Sequence, residues 1–303
     1  MKFSIVTPTY NMERWIAETI ESVLSQEGDF EIEYIIVNDH SIDKTESIIK
    51  ECLNKINHGE YPIRCKNISM IYIERDKNSG MYDAINAGFS KATGDIYAWI
   101  NADDVYEPNA FNAVAKTLTA FPEIVWVKGI TSTIDEHGQF LRKGSCKIYH
   151  QDWIVKGVYG QEAYFIEQDS VFWRAILWEK AGKIPAKFKS AGDYWLWLQF
   201  AKHAPLWSIN IPISNFRKRE GQLSKDIPRY KKGQWEARPK RSWGAWNARL
   251  FFSPQSRLTA ISPRLNKFFI WLYPIFFRKM FPVEYIEMKN GEPIIKKSSS
   301  YII

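Results

Sequence analysis

The sequence predicts an α/β protein with a mostly parallel sheet covered by helices. Three observations carry this. Strand-like and helical segments alternate through the first 101 residues. Polar clusters stand where three of those strands end: Pro8-Thr9-Tyr10, Asn38-Asp39-His40 and Asn101-Ala102-Asp103-Asp104. Neither GxGxxG nor GxxxxGK[ST] occurs, so the dinucleotide and P-loop readings lose their main support.

In order, FSIVTP (3–8) reads as a short β-rich run, and NMERWIAETIESVLSQ has apolar residues at helical spacing. EYIIVND (33–39) is a second strand. SIDKTESIIKECLNKI opens with Ser41, Asp43 and Thr45 as helix-start residues. NISMIYIE (67–74) is a third strand, SGMYDAINAGFSKATG (79–94) a helix with a Gly stop, and DIYAWIN (95–101) a fourth strand. Further on, 107–122 reads as a helix and 124–134 as a strand, with 170–182 and 191–203 as helices carrying acids near their starts. Ligands of such sheets bind beyond the carboxyl ends of the strands, which is where the three polar clusters fall.

Bulk properties bound the rest. The 303 residues suffice for one large domain or two unequal ones, and 45% hydrophobic with 25% charged residues is ordinary for a soluble protein. Cys52, Cys65 and Cys146 form no CxxC pair, which predicts a reducing compartment without structural disulfides or a zinc site. MKFSIVTPTYN turns polar too early for a secretory signal. FFIWLYPIFF (268–277) is too short to span a bilayer and is interrupted by Pro274.

The charge is divided. From Arg217 onward, 19 Lys/Arg stand against 6 Asp/Glu, a net +13, and since the whole chain carries +7 the preceding residues carry −6. The basic residues alternate with aromatics such as Trp243, Trp246, Phe251, Phe268 and Trp271. A basic, aromatic segment too short to span suits an anionic membrane surface. A helical contact in a homodimer is the alternative, and no nucleic-acid recognition motif supports an RNA or DNA partner.

FSIVTPTYN, IIVNDHSIDKT, DKNSGMYDAINAG, ATGDIYAWINADD, QDSVFWRAILWEKAG and AGDYWLWLQFAKH occur in an order resembling the large inverting GT-A glycosyltransferase family, the family 2 group. The nearest subgroup acts in bacterial cell-surface polysaccharide synthesis. The resemblance covers roughly residues 1–224 and implies a nucleotide-diphospho-sugar transferase fold, Rossmann-like, with a sheet flanked by helices. A helical, basic and aromatic extension would occupy 225–303.

What the resemblance implies for function is specific. The chain would bind a nucleotide-diphosphate sugar, UDP being favoured, with Mn or Mg as divalent cation. It would move one hexosyl or N-acetylhexosaminyl unit, with inversion, to a hydroxyl of a glycan or polyprenyl-diphosphate-linked acceptor. Pro8, Tyr10 and Asp39 fall where the family holds nucleobase and ribose, and Asp103 corresponds to an acid near the ribose. Asp104 matches the metal-contacting acid of the DxD element and Asp193 the catalytic base. Gly80, Asp83 and Asn86 are assigned to the donor segment, and Glu162, Asp169 and Trp195 to acceptor recognition. Trp173 and Trp197 are further flat faces for sugar rings. The enzyme would work in the cytoplasm, at the inner face of the cell membrane.

Three departures stand out. Asn38 and His40 replace an acid and the Gly of the second motif. Asn78 stands where close relatives carry Asp, and Arg219 where they often have His before a QxS element, kept here as Gln222 and Ser224.

The chemistry explains the residue types. A leaving nucleoside diphosphate carries two to three negative charges, and a hard dication with oxygen ligands neutralises them. One or two protein carboxylates suffice, because phosphates and waters complete the shell. The attacking hydroxyl must lose its proton, and a carboxylate held partly dry by Tyr194, Trp195 and Trp197 has its pKa raised toward the working range.

Taken singly, the same residues have plainer readings. Asp103-Asp104 is a loop acid pair, Asp39 and Asp193 are helix caps, and the tryptophans are core. Two other classes compete. A nucleotidyltransferase would show a Gly-rich, basic loop after the first strand, which TPTYNMERW lacks. A non-catalytic sugar-nucleotide-binding or membrane-associated protein would need none of Asp103, Asp104 and Asp193. Processive synthases carry several spans and a QxxRW element, both absent here, so single-sugar transfer is expected.

Overall fold

The computed structural model describes residues 1–160, 163–239 and 282–303. Its elements are β1 (Lys2–Thr9), α1 (Ile16–Leu24), β2 (Gly28–Asn38), α2 (Thr45–Asn57), β3 (Cys65–Glu74), α3 (Met81–Phe89), β4 (Ile96–Trp99), β5 (Val105–Tyr106) and α4 (Ala110–Ala120). There follow β6 (Trp126–Ile134), β7 (Phe140–Arg142), α5 (Gln151–Val155), β8 (Val171–Arg174), α6 (Ala175–Ala181), α7 (Gly192–Ala201), β9 (Trp207–Arg217), α8 (Ile227–Ala237), β10 (Val283–Lys289) and β11 (Glu292–Ser298).

The strands form one mixed sheet in the order β11-β10-β9-β6-β8-β4-β1-β2-β3, with β5 on β9 and β7 on β6. β4, β1, β2 and β3 run parallel, as the strand–helix alternation predicts, so their carboxyl ends share one edge. β8 is antiparallel to both β4 and β6.

Side-chain alternation shows why the sheet is buried on both faces. Phe3 and Ile5 of β1 and Ile32, Tyr34 and Ile36 of β2 enter one core with α1, α2 and α4. Val6 of β1 and Ile35 and Val37 of β2 point the other way, into a core with α3, α6 and α7. Gly88 on α3 makes that packing close, since a Cβ there would stand 2.5 Å from Val6 Cγ1.

Several sequence expectations change. The helix expected over 79–94 ends at Phe89, and Gly94 is not its stop. A Cβ at Gly94 would meet the Lys2 carbonyl at 2.7 Å, so this glycine serves the approach of the loop to β1. The helix expected over 170–182 begins as strand β8, because Val171, Phe172 and Trp173 pair with β6 and are fully buried between layers. A short apolar run has no periodicity that separates buried strand from helix.

Within the extension expected to be helical, α8 is helical, whereas Val283–Ser298 form a hairpin that joins the sheet edge through Ile286 opposite Ile209. Ile286 is fully buried, so this part of the extension belongs to the core. Trp243, Trp246, Phe251, Phe268 and Trp271 lie outside the described residues, as does Glu162. Among the described residues no helix is long and apolar enough to cross a membrane.

Candidate functional site

The loops after β1 and β2 are tied to one another before any ligand is considered. Ser41 Oγ, Thr45 Oγ1 and Asp43 Oδ2 accept from the amides of Asn11, Met12 and Glu13. Expected as helix-start residues, they fasten α2's entrance to that of α1. Between them, His40 takes a left-handed φ of 68°, so the conformation that favours Gly in relatives is kept by a residue type that tolerates it. Asn38 locks the same turn, accepting from the Ser41 amide and donating to Tyr72 Oη.

Asp39 lies almost wholly buried beside these loops. Its Oδ2 accepts from the amides of Ser79 and Gly80, at 3.0 and 2.9 Å, ahead of α3. Gly80 needs its φ of 102°, not room, because nothing lies within 4 Å of a Cβ placed there. Arg75, at the end of β3, has Nε 3.3 Å from Asp39 Oδ1 and pairs through Nη2 with Asp83. Asp83 is thus held in place by an arginine to which sequence reasoning gave no role. Pro8 is buried opposite Val37, and Tyr10 is 42% exposed at the rim. Asn86 faces elsewhere: both ends of its amide bond the Ile184 backbone, fastening the 182–190 loop to α3.

Three buried polar atoms at these adjoining strand ends have no hydrogen-bond partner, Thr9 Oγ1, Arg75 Nη1 and Asn101 Oδ1, and Asp39 Oδ1 has only the ion pair with Arg75 Nε. Buried polar groups are ordinarily paired, and leaving them unpaired costs about 1–3 kcal/mol each. These atoms gather at one sheet edge.

Asp103 and Asp104 follow β4 in a turn closed by the Asp104 amide on the Asn101 carbonyl. Asp104 is fully buried, accepting from the Arg217 amide at 2.8 Å and from Asn101 Nδ2 at 3.1 Å. Burial drives its pKa well above the ordinary carboxylate value, and the charges of Asp103 and Asp169 push it further. Asp169 is itself buried and bound by Ser214 Oγ at 2.6 Å. Expected to meet an acceptor, it instead loads Asp104 with like charge from within the fold.

Asp103 points to a different set of partners. Its Oδ2 accepts from Arg219 Nε at 2.6 Å and from Gln222 Nε2 at 3.4 Å, while Arg219 stacks on Trp15 with its guanidinium carbon 4.7 Å from the ring centre. The Arg219 departure therefore places a fixed cation on the acid pair. Arg217 is the scaffold beneath: wholly buried, it donates through Nε to the Asp103 carbonyl and through Nη2 to Glu18. Nothing in the sequence distinguishes it from the other basic residues that follow.

Among the described residues no group of three or more His, Cys, Asp or Glu side chains forms a ready-made metal cage. Crowded hard oxygens with a charge deficit, beside the unpaired Asn101 Oδ1, do fit a dication that draws most of its ligands from phosphate and water.

Asp193 sits in the first turn of α7, after Ala191 in a left-handed turn. Its side chain is half-buried; Oδ1 accepts from Tyr82 Oη at 3.2 Å and Oδ2 from Tyr230 Oη at 3.0 Å. Burial raises its pKa, against the pull of these bonds and of the Tyr194 amide. Trp197 is stacked on Trp99, 5.6 Å between ring centres at 9°, and Trp173 is fully buried, so neither offers a face to a sugar. Trp195 stays half-buried beside Phe188. The first turn of α3 links the two regions, with Gly80 on Asp39 and Tyr82 on Asp193.

Comparison with known proteins agrees with this geometry. Residues 4–175, more than half of the chain, match Glycosyl transferase family 2. An uncharacterised glycosyltransferase of Nostoc sp. is 30% identical over 145 residues, 48% of this chain and 41% of its own length. Another from Rickettsia typhi is 28% identical over 225 residues, 73% of this chain and 65% of its own. The minor teichoic acid biosynthesis protein GgaB of Bacillus subtilis is 35% identical over 113 residues, 37% of this chain and 11% of its own. The chain thus spans less than two thirds of each relative's length. Staphylococcus aureus TarS 1–349 in complex with UDP superposes with a TM-score of 0.59 at 16% identity, covering 88% of this chain and 74% of that one. Its complex with UDP-GlcNAc gives a TM-score of 0.58 at 15% identity over 98% and 97%. With the match covering most of the sheet and all three polar strand ends, the chain belongs to glycosyl transferase family 2 and has its GT-A fold.

Proposed function

We propose that this protein is an inverting glycosyltransferase that moves a single sugar from a nucleotide-diphosphate sugar to a hydroxyl of a glycan or lipid-linked saccharide in surface polysaccharide synthesis. The observation that carries the reading is the set of buried polar atoms without hydrogen-bond partners at the ends of β1 to β4, next to the buried Asp104, which has no cation partner among the described residues. UDP is the favoured nucleotide, supported by the TarS complexes with UDP and UDP-GlcNAc.

In this reading Tyr10 and Pro8 border the base, and Asp39, braced by Arg75, meets the ribose. Asp103 holds a ribose hydroxyl or the phosphate side through Arg219, and Asp104 holds Mn or Mg. When bound, the dication would neutralise the departing diphosphate. Asp193 takes the proton of the acceptor hydroxyl as that oxygen bonds the anomeric carbon and the carbon–phosphate-oxygen bond breaks, releasing the nucleoside diphosphate. One displacement inverts the anomeric centre. Water exclusion falls to the rings of Tyr82 and Tyr230, whose hydroxyls hold the carboxylate.

Residues 1–224, joined by the 283–298 hairpin at the sheet edge, would form the catalytic unit, with the basic, aromatic stretch that starts at 225 bringing it to the cytoplasmic face of the membrane. α8 supports that placement, since its outer face exposes Ile227, Lys231 and Trp235 with Arg238 stacked on the Trp235 ring. A homodimer is the competing use of that face. The test of the reading is turnover: UDP release from UDP-N-acetylglucosamine, with membrane glycans as acceptor, should vanish in Asp193→Asn. A variant that turns over like wild type would remove the base.

A further inference from the structure

We infer that Tyr230, on the helix that opens the C-terminal extension, is a positioning residue for Asp193, so that the base is completed only when α8 is docked. The inference rests on the reading of Asp193 as the base.

The construction of α8 is directed at that contact. Asp226 caps it by accepting from the Arg229 amide at 3.1 Å, and Pro228 fixes its first turn. Gly233 then lets the helix close on the turn before α7, because a Cβ there would stand 2.6 Å from the Ser190 carbonyl. Ser190 Oγ returns a bond to the Arg229 carbonyl at 3.0 Å. These contacts bring Tyr230 Oη to 3.0 Å from Asp193 Oδ2, with its ring edge-on to Phe165, 5.8 Å between centres.

The titratable groups facing Asp193 are Tyr82 from α3 and Tyr230 from α8; α7 itself adds the Tyr194 amide, the Tyr194 hydroxyl donating instead to the Gly157 carbonyl, and among the described residues no ion pair includes Asp193. α5 and α6 also pack on α7, through apolar residues such as Ile154 and Leu177. Two hydroxyls therefore do what a neighbouring cation does in other sites. Each occupies one lone pair of one carboxylate oxygen, fixes the plane of the group, and leaves the remaining lone pairs for the acceptor hydroxyl. Both favour the ionised, proton-accepting form against burial. Tyr230 comes from outside the segment matched to the family, which ends at 175.

The test uses the full-length protein and the variants Tyr230→Phe, Gly233→Ala and Asp193→Asn. Protonation of Asp193 is followed against pH by its carboxyl infrared band, identified by difference from Asp193→Asn. UDP release from UDP-N-acetylglucosamine is measured alongside. Removing the hydroxyl that favours the charged form should raise the Asp193 midpoint by about one to two units. The acidic limb of kcat should move up with it, kcat should fall about tenfold or more at neutral pH, and KM should be unchanged. Gly233→Ala, which pushes α8 off the Ser190 turn, should move the midpoint the same way. An unmoved midpoint in both variants, or a raised KM with kcat intact, overturns the inference. If Asp193→Asn itself turns over normally, the base reading fails and this inference with it.

Discussion

The amide of Arg217 donates to Asp104 Oδ1 at 2.8 Å, joining the end of β9 to the turn after β4 across 113 residues of sequence. The same residue, wholly buried, holds the Asp103 carbonyl through Nε and the Glu18 carboxylate through Nη2. The acid pair is therefore fixed from behind by an arginine that touches neither proposed ligand. Arg219, two residues later, makes the contact on the cleft side. β9 ends at Arg217, and Arg219 lies in the turn that follows, where the chain is free to leave the strand's alternation.

Asp104 should dominate the pH dependence of the ligand-free protein. Its folded-state pKa lies above the model-peptide value of 3.8, so from about that pH upward the unfolded chain releases a proton that the folded one retains. Stability then falls as pH rises through the folded value. Melting curves in metal-free buffer should show this slope, and Asp104→Asn should flatten it. An unchanged slope in the variant would assign the effect to other acids.

Glu167 titrates in the opposite sense. Lys128, nearly fully buried, lies 3.0 Å from its Oε2, and Lys147 holds Oε1. Despite burial, these cations hold its pKa down to about 2. Its contribution is complete above pH 4.5, the ordinary value for Glu, and is lost as pH falls toward 2. Glu167→Gln leaves Lys128 buried beside a neutral group and should cost about 3–5 kcal/mol in urea unfolding.

Trp197 separates core from sugar platform. It stacks between Trp99 and Trp126 beneath α7. Trp197→Ala should lower stability by about 3–5 kcal/mol, while a Trp that served only an acceptor would leave the unfolding curve in place.

Arg75 tests the nucleotide end of the cleft. It bridges Asp39 and Asp83 and keeps one buried nitrogen unpaired. Arg75→Ala should weaken UDP binding by roughly tenfold or more, because Asp39 loses its brace and its charge partner. Calorimetry on the folded variant gives the answer directly, and equal affinity would take Arg75 out of the site.

The parallel half of the fold and the three polar strand ends were legible in the sequence because β1, β2 and β3 are each followed by a helix, and β1, β2 and β4 each run into a short polar cluster. β8 was not, since Val171-Phe172-Trp173 is buried on both faces and has no period to read. The 283–298 hairpin was hidden for another reason: it follows a basic, aromatic stretch and its own Glu and Lys residues look solvated until Ile286 is seen inside the sheet. Asp39, Asp103, Asp104 and Asp193 stood out by position, whereas Arg75, Arg217 and Tyr230 did not. Their roles arise from long-range contacts, such as the 37 residues between Tyr230 and Asp193, which no local pattern encodes.

The most direct measurement is isothermal titration of UDP, GDP, CDP and dTDP into wild type and Asp104→Ala, each with and without Mn²⁺. The account predicts metal-dependent binding of one diphosphate, UDP first, lost in Asp104→Ala with the fold intact. Binding of none of the four, or binding indifferent to both metal and Asp104, would contradict it.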